Sequence, residues 1–175
     1  QVRPAGLLPQ DGLLREGLAG RRLLLLLHGL LLLDGLLHGE AGQRLLINRA
    51  VEAVVLENGA RSILTEGLAY DRCQVGLVTD LDPAGVVPDC HVETVDKLYD
   101  VLRTQVDVVL HDGVAVLNAE DGQVARMASL CDGEVIFYGR DAAHPAMEAH
   151  LAQGGRAVYV RGLQIVLAKG AEASP

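Results

Sequence analysis

Apolar and polar positions change rhythm once along this chain, near Asn48. Before it, "GLLPQDGLLREGLAG" and "HGLLLLDGLLHGE" repeat Gly-Leu-Leu units with neither a helical nor a strand period. Glycine every few positions undermines a helix, and leucine is not the β-branched type a strand prefers. Residues 1-46 therefore read as a Leu/Gly-rich lead-in, degenerate or poorly ordered, and residues 47-175 as the folded unit.

Beyond Asn48, regular punctuation appears. "VEAVVLENG" is a continuous apolar run closed by Glu57, Asn58 and Gly59, which predicts a fully buried parallel strand and a turn. "CQVGLVTD" predicts a second strand. "TVDKLYDVLRTQVDVVL" puts Val95, Leu98, Tyr99, Leu102, Val106 and Val109 on one helical face, with Thr94 as N-cap and Asp96 in the first turn. "HDG" then predicts a turn, "VAVLN" a third strand, "EDGQVARMASLC" a helix and "EVIFYG" a fourth strand. "HPAMEAHLAQGG" predicts a helix, with Pro145 in its first turn and Gly154-Gly155 at its stop. "RAVYV", "RG" and "LQIVLA" predict a terminal hairpin. Strands alternating with helices imply a three-layer α/β fold around a mainly parallel sheet, closed by a C-terminal β-hairpin.

At 175 residues the chain is long enough for one ordinary domain. Aromatics are 3% and tryptophan is absent, so the core must be built from Leu, Val, Ile and Ala. A net charge of -8 leaves no basic stripe to neutralise phosphates, which excludes nucleic acid as a partner. Cys73, Cys90 and Cys131 are odd in number and far apart, the usage of a reducing compartment and hence of the cytoplasm. Adjacent Cys90 and His91 point in different directions and do not make a metal pair. The apolar run Leu23–Leu33 is broken by His28 and Gly29 and closed by Asp34, short of the ~20 residues a bilayer needs. His28 and His38, with Asp34 and Glu40 nearby, are not read as a metal site. His111, His144 and His150 are read as solvated surface groups.

In open parallel sheets, ligands sit outside the carboxyl ends of the strands. Glu57, Asn58, Thr79, Asp80 and Asn118 all fall where an expected strand runs out. Such a rim can hold a divalent cation and a nucleotide. The plainer alternative is that polar residues end strands because loops are solvated.

Three long blocks carry a family resemblance: "VEAVVLENGARSILTEGLAYDRCQVGLVTD", "VLRTQVDVVLHDGVAVLNAEDGQVARMASLCDGEVIFYG" and "GGRAVYVRGLQIVLAKGA". In order and spacing, from about Ala50 to the end, they resemble the Mur ligase-like domain of cyanophycin synthetases. The resemblance implies an incomplete Mur ligase central domain, and an ATP-dependent enzyme that forms amide bonds through an acyl phosphate, with magnesium. Its substrates would be arginine, aspartate and a poly-aspartate polymer, and any homo-oligomer would form through domains beyond this sequence. By the same resemblance Glu57 matches an acidic magnesium ligand. Asn118 matches the asparagine that meets the nucleotide base, with Asp121 close behind. Thr79 and Asp80 match a Thr-Asn pair, aspartate standing here for asparagine.

Three parts of the family pattern differ. No Gly-Lys-Thr loop is spelled in Gln1 to Asn48, "DLDPAGVVPD" has no histidine, and Leu102 and Arg103 stand near the position of a modified lysine. The Gly-Lys-Thr loop is the main phosphate clamp. The resemblance leaves two functions, part of a ligase that is inactive as an isolated chain or a non-catalytic pseudo-ligase scaffold within a larger synthetase; a third alternative is an unrelated α/β domain that binds a small metabolite.

Overall fold

The computed structural model describes residues 40–175. Most of the Leu/Gly-rich lead-in, with the Leu23–Leu33 run, His28, Asp34 and His38, lies outside the described residues. The chain continues through helices α1 (Glu40–Leu46) and α2 (Ala60–Glu66) into strand β1 (Cys73–Val78). Helices α3 (Val95–Leu102) and α4 (Thr104–Asp107) lead to β2 (Val109–Asn118), and α5 (Gly122–Arg126) to β3 (Glu134–Gly139). Then come α6 (Pro145–Ala152), β4 (Arg156–Arg161), β5 (Gln164–Lys169) and the short β6 (Glu172–Ser174).

The strands form one six-stranded sheet in the order β1-β2-β3-β4-β5-β6. The first four are mutually parallel, and β5 and β6 are added antiparallel, so the fold is α/β with a mainly parallel sheet and a terminal hairpin. Parallel neighbours taken in sequence order, each joined by a right-handed crossover, must carry all their connections on the same face. The core obeys this rule. Val78, Leu117, Phe137, Ala157 and Val166 from the strands are buried with Leu98, Val106, Val124, Met127 and Met147 from the connections. Burying each large apolar side chain contributes ~1.5–3 kcal/mol. Among the described residues, two of the three expected layers are present.

Among the described residues, the other face is apolar and uncovered. Because strand side chains alternate, β1 turns Val75 and Leu77 outward, β2 Val114 and Val116, and β3 Ile136. On the same face β4 carries Val158 and Val160, and β5 Ile165 and Leu167, as the register requires.

Local sequence explains several elements. Thr94 caps α3, accepting from the Lys97 N–H at 3.3 Å, and Leu98 points into the core. Gly76 admits no side chain, because a Cβ there would stand 2.4 Å from the Gln105 carbonyl oxygen of α4. The left-handed Gly162, φ 62°, turns the β4–β5 hairpin.

Four expectations are corrected. The segment expected as the strand "VEAVVLENG" is irregular: Val55 is 74% exposed, and among the described residues the outer face has no cover to bury a continuous apolar run. The long helix expected to reach Val109 breaks at Arg103, and Val109 instead opens β2 opposite Cys73, fully buried. "HDG" is no turn. His111, Asp112 and Gly113 lie inside β2, in the irregular stretch where Cys73 pairs with Val109 but Val75 already pairs with Val114. His150 is not a solvated surface group. Its Nε2 lies 3.2 Å and 3.0 Å from the carbonyls of Val135 and Arg156, and its ring meets Phe137 edge-on at 4.8 Å.

Candidate functional site at the carboxyl rim of the sheet

Strands β1, β2 and β3 run parallel, so their carboxyl ends open on one rim. Asn118 is the last residue of β2 and pairs with Tyr138 of β3. Its Nδ2 donates to the Thr79 carbonyl at 2.9 Å, and its Oδ1 accepts from the Glu120 N–H at 2.9 Å. The Tyr138 hydroxyl donates to the same Thr79 carbonyl at 3.3 Å. Thr79 thus enters the cluster through its backbone, and the chain leaving β1 is fastened to β2 and β3 together.

Asp121 acts in a similar way. Its Oδ1 accepts from the N–H groups of Gln123 and Val124, at 2.9 and 3.2 Å, and so caps α5. Its Oδ2 accepts from the Leu81 N–H at 3.0 Å. Glu120 reaches the loop after β3: its carboxylate accepts from the Arg140 N–H at 2.6 Å, from Arg140 Nε at 3.1 Å and from the Asp141 N–H at 3.3 Å.

The charges of the rim are unbalanced. Asp80, Glu120 and Asp121 are answered by Arg140, whose side chain is 88% exposed and paired with Glu120. The Arg140 amide, then the Arg140 guanidinium, hold the Glu120 carboxyl below the ordinary glutamate range. Burial raises the Tyr138 phenol, and the negative charges of Asp80 and Asp121 raise it further. Tyr138 therefore remains a neutral hydroxyl donor at ordinary pH.

Asn118 keeps unused capacity. A primary amide has two N–H donors and two acceptor lone pairs, and the two bonds above use one of each. Among the described residues, one N–H and one lone pair of the amide remain without a protein partner. Thr79 and Asp80 stand exposed at the rim. A groove of about 320 Å³, lined by residues including Arg156, Lys169 and Glu172, lies at the β4–β6 side of the sheet instead.

Thr79, Asp80, Asn118 and Asp121 are thus brought together by the strand ends. Glu57 is exposed and belongs to no strand, and Leu56 and Asn58 fix its surroundings. Leu56 stands with Ala69 around Gly42, and Asn58 Nδ2 donates to the Tyr70 hydroxyl at 3.0 Å. Ala69 and Tyr70 lead into β1 at its amino-terminal end. No hydrogen bond or ion pair among the described residues joins Glu57 to the rim, and no three His, Cys, Asp or Glu side chains there gather to hold a metal ion.

No family model matches the chain. Individual relatives do. The chain is 34% identical over 120 residues to a cyanophycin synthetase of Synechocystis sp., a match covering 67% of this chain and 13% of the relative. It is 35% identical over 120 residues to the cyanophycin synthetase of Crocosphaera subtropica, again 67% and 13%. A third, from Geminocystis herdmanii, is 35% identical over 115 residues, 64% of this chain and 13% of the relative. The chain carries a cyanophycin synthetase-like segment.

The matched segment spans about an eighth of the length of these curated relatives. Within this cyanophycin synthetase-like chain, sequence reasoning missed Glu120, Tyr138 and Arg140. Tyr138 had a legible signal, since it continues the period-2 series Glu134, Ile136 on the same face as Asn118. Arg140 had none, because its partner Glu120 lies on a different loop. Among the described residues no helix is long and apolar enough to cross a membrane.

Proposed function

We propose that the chain is one part of an ATP-dependent amide-bond ligase of the cyanophycin synthetase type, residues 47-175 forming an incomplete Mur ligase-like domain in the cytoplasm. The observation that carries this reading is the 32–35% identity to cyanophycin synthetases over about two thirds of the chain. In such an enzyme ATP with magnesium activates a carboxylate as an acyl phosphate, and arginine and aspartate are joined to a poly-aspartate polymer.

This chain contributes the base side of the nucleotide shelf. Asn118 offers one N–H and one lone pair to the edge of the base, held in place by its bonds to Thr79 and Glu120. Asp121 fixes the turn into α5, and Thr79 and Asp80 form the neighbouring wall. The phosphate side lacks its clamp, because residues 1–48 spell no Gly-Lys-Thr loop. The isolated chain is therefore inactive. Mixed with ATP, magnesium, arginine and an aspartate primer, it releases no phosphate above background; clear turnover overturns that statement.

A second reading, a pseudo-ligase scaffold, is favoured by a specific observation. The polar side chains of Asn118, Glu120 and Asp121 are already bonded to backbone groups that fasten β1, β2 and β3. Calorimetric titration with ATP and magnesium separates the two. Micromolar binding, lost in Asn118→Ala, supports the nucleotide shelf, and absence of binding supports the scaffold.

A further inference from the structure

The groove at the β4–β6 side of the sheet is a feature that the ligase reading leaves unused. Its volume, about 320 Å³, is that of a small-molecule site. Arg156, Lys169 and Glu172 form one row across it, since Arg156 pairs with Lys169 and Lys169 with Glu172 in the antiparallel register. Strand residues directly opposite each other present their side chains on one face. Leu167 and Ser174 make the next row, and they line the groove together with two alanines.

The fold gives no reason for the charges of this row. Arg156 and Lys169 are like charges set directly opposite each other, an arrangement that costs stability. Lys169 and Glu172 are opposite charges in the same relation, yet no ion pair joins them, and among the described residues neither side chain has another partner. Arg156 is only partly used. Its Nε and Nη2 donate to the two carboxylate oxygens of Glu134, each at 2.5 Å. A guanidinium has five N–H donors, so three remain, both N–H groups of Nη1 among them. The row therefore offers an unpaired ammonium and spare guanidinium donors on one side and an unpaired carboxylate on the other. Beside them stands Leu167, 57% exposed.

We propose that the groove binds a small aliphatic α-amino acid as its zwitterion. The ligand's carboxylate lies between Lys169 and the Nη1 edge of Arg156 and offsets their repulsion, its ammonium meets Glu172, and its side chain covers Leu167. Glu134 offsets Arg156, and Glu172 offsets Lys169, so the groove carries no net charge and suits a ligand that is neutral overall and dipolar. An acidic or basic side chain would add a net charge and lose the contact with Leu167. The groove begins two strands away from Asn118, and the inference does not depend on whether the rim binds a nucleotide.

Titration of the isotope-labelled full chain with L-valine, followed by backbone amide NMR shifts, tests it. The expected result is a saturable shift at Lys169, Glu172 and Ser174, with a dissociation constant on the order of 1 mM for so small a ligand. Isovalerate, which lacks the ammonium, isobutylamine, which lacks the carboxylate, and L-aspartate should each bind at least ~10-fold more weakly. These comparisons need no altered chain. Lys169→Met and Glu172→Gln, both at exposed positions, should each weaken L-valine binding by a similar factor, whereas Gln164→Ala, on the same hairpin outside the groove, should leave it unchanged. No saturable shift at tens of millimolar, shifts that sodium chloride alone reproduces, equal binding of isovalerate or isobutylamine, or undiminished binding in Lys169→Met or Glu172→Gln would each overturn the proposal.

Discussion

Replacing Asn118 by aspartate preserves the size and shape of the side chain and removes one function, the Nδ2 donor. In the native rim that donor meets the Thr79 carbonyl at 2.9 Å, while Oδ1 accepts from the Glu120 N–H at 2.9 Å. The variant keeps the acceptor and sets a carboxylate oxygen against a carbonyl oxygen, among Asp80, Glu120 and Asp121. Loss of one hydrogen bond is worth about 1 kcal/mol net, and leaving a polar group badly matched raises this to about 1–3 kcal/mol. The Tyr138 hydroxyl still donates to Thr79, so the lower half applies, about 1–2 kcal/mol. At ~2–4 °C per kcal/mol for a domain of this size, Tm falls by roughly 2–8 °C at neutral pH.

The sign with pH follows from the same contacts. Neighbouring oxygens raise the introduced carboxyl's pKa in the folded state above its unfolded value. Its protonated form, an O–H donor, can again bond Thr79. The deficit relative to the native chain is therefore largest above the folded pKa and shrinks as pH falls toward the unfolded value, ~3.9. The assay is thermal unfolding of both chains, followed by circular dichroism, from neutral pH down to about pH 4. An Asn118→Asp chain as stable as the native one at neutral pH, or a deficit that grows on acidification, would refute the assignment of Asn118 as the fastener of the β1 and β2 ends.

Other outcomes are expected from the same coordinates. Gly76→Ala sets a Cβ 2.4 Å from the Gln105 carbonyl oxygen and 2.8 Å from Val109 Cγ2; overpacking of about 1–3 kcal/mol outweighs the ~0.5–1 kcal/mol gained by replacing glycine, and denaturant unfolding should show the net loss. Leu117→Ala removes a fully buried side chain and costs about 2–5 kcal/mol, whereas Ile165→Ala, at a position 67% exposed, costs far less by the same measurement; equal losses would mean that the two faces are not distinguished as described. Glu120→Gln removes a carboxylate whose pKa is lowered in the folded state by the Arg140 amide, then the Arg140 guanidinium. That stability is present above the unfolded glutamate pKa of ~4.3 and is lost as pH falls through the folded one, so acid titrations of the two chains should differ at neutral pH and converge in strong acid.

Much of this architecture was legible without coordinates. Short apolar runs closed by turn or polar residues located β1, β3 and the β4–β5 hairpin, and the Thr94 cap with its apolar face located α3, because these signals are local and each is satisfied within a few residues. Polar residues that close a strand were legible in the same way, and Asn118 and Thr79 stood out for that reason. Tertiary structure decided the rest. Arg103 ends α3 and Val109 becomes strand because Val109 has a β1 partner across the sheet, a pairing no local window contains. "VEAVVLENG" is irregular because a buried strand needs cover on both faces, and only one face is covered by the described residues. The roles of Asn118, Asp121 and Tyr138 likewise depend on backbone groups brought close from 39 to 59 positions away, and Glu57 is separated from them by the same packing. Sequence set which residues prefer to be strand, helix or rim; long-range pairing determined which of them had a partner to bond, since a hydrogen bond or a buried contact exists only where the fold supplies its other half.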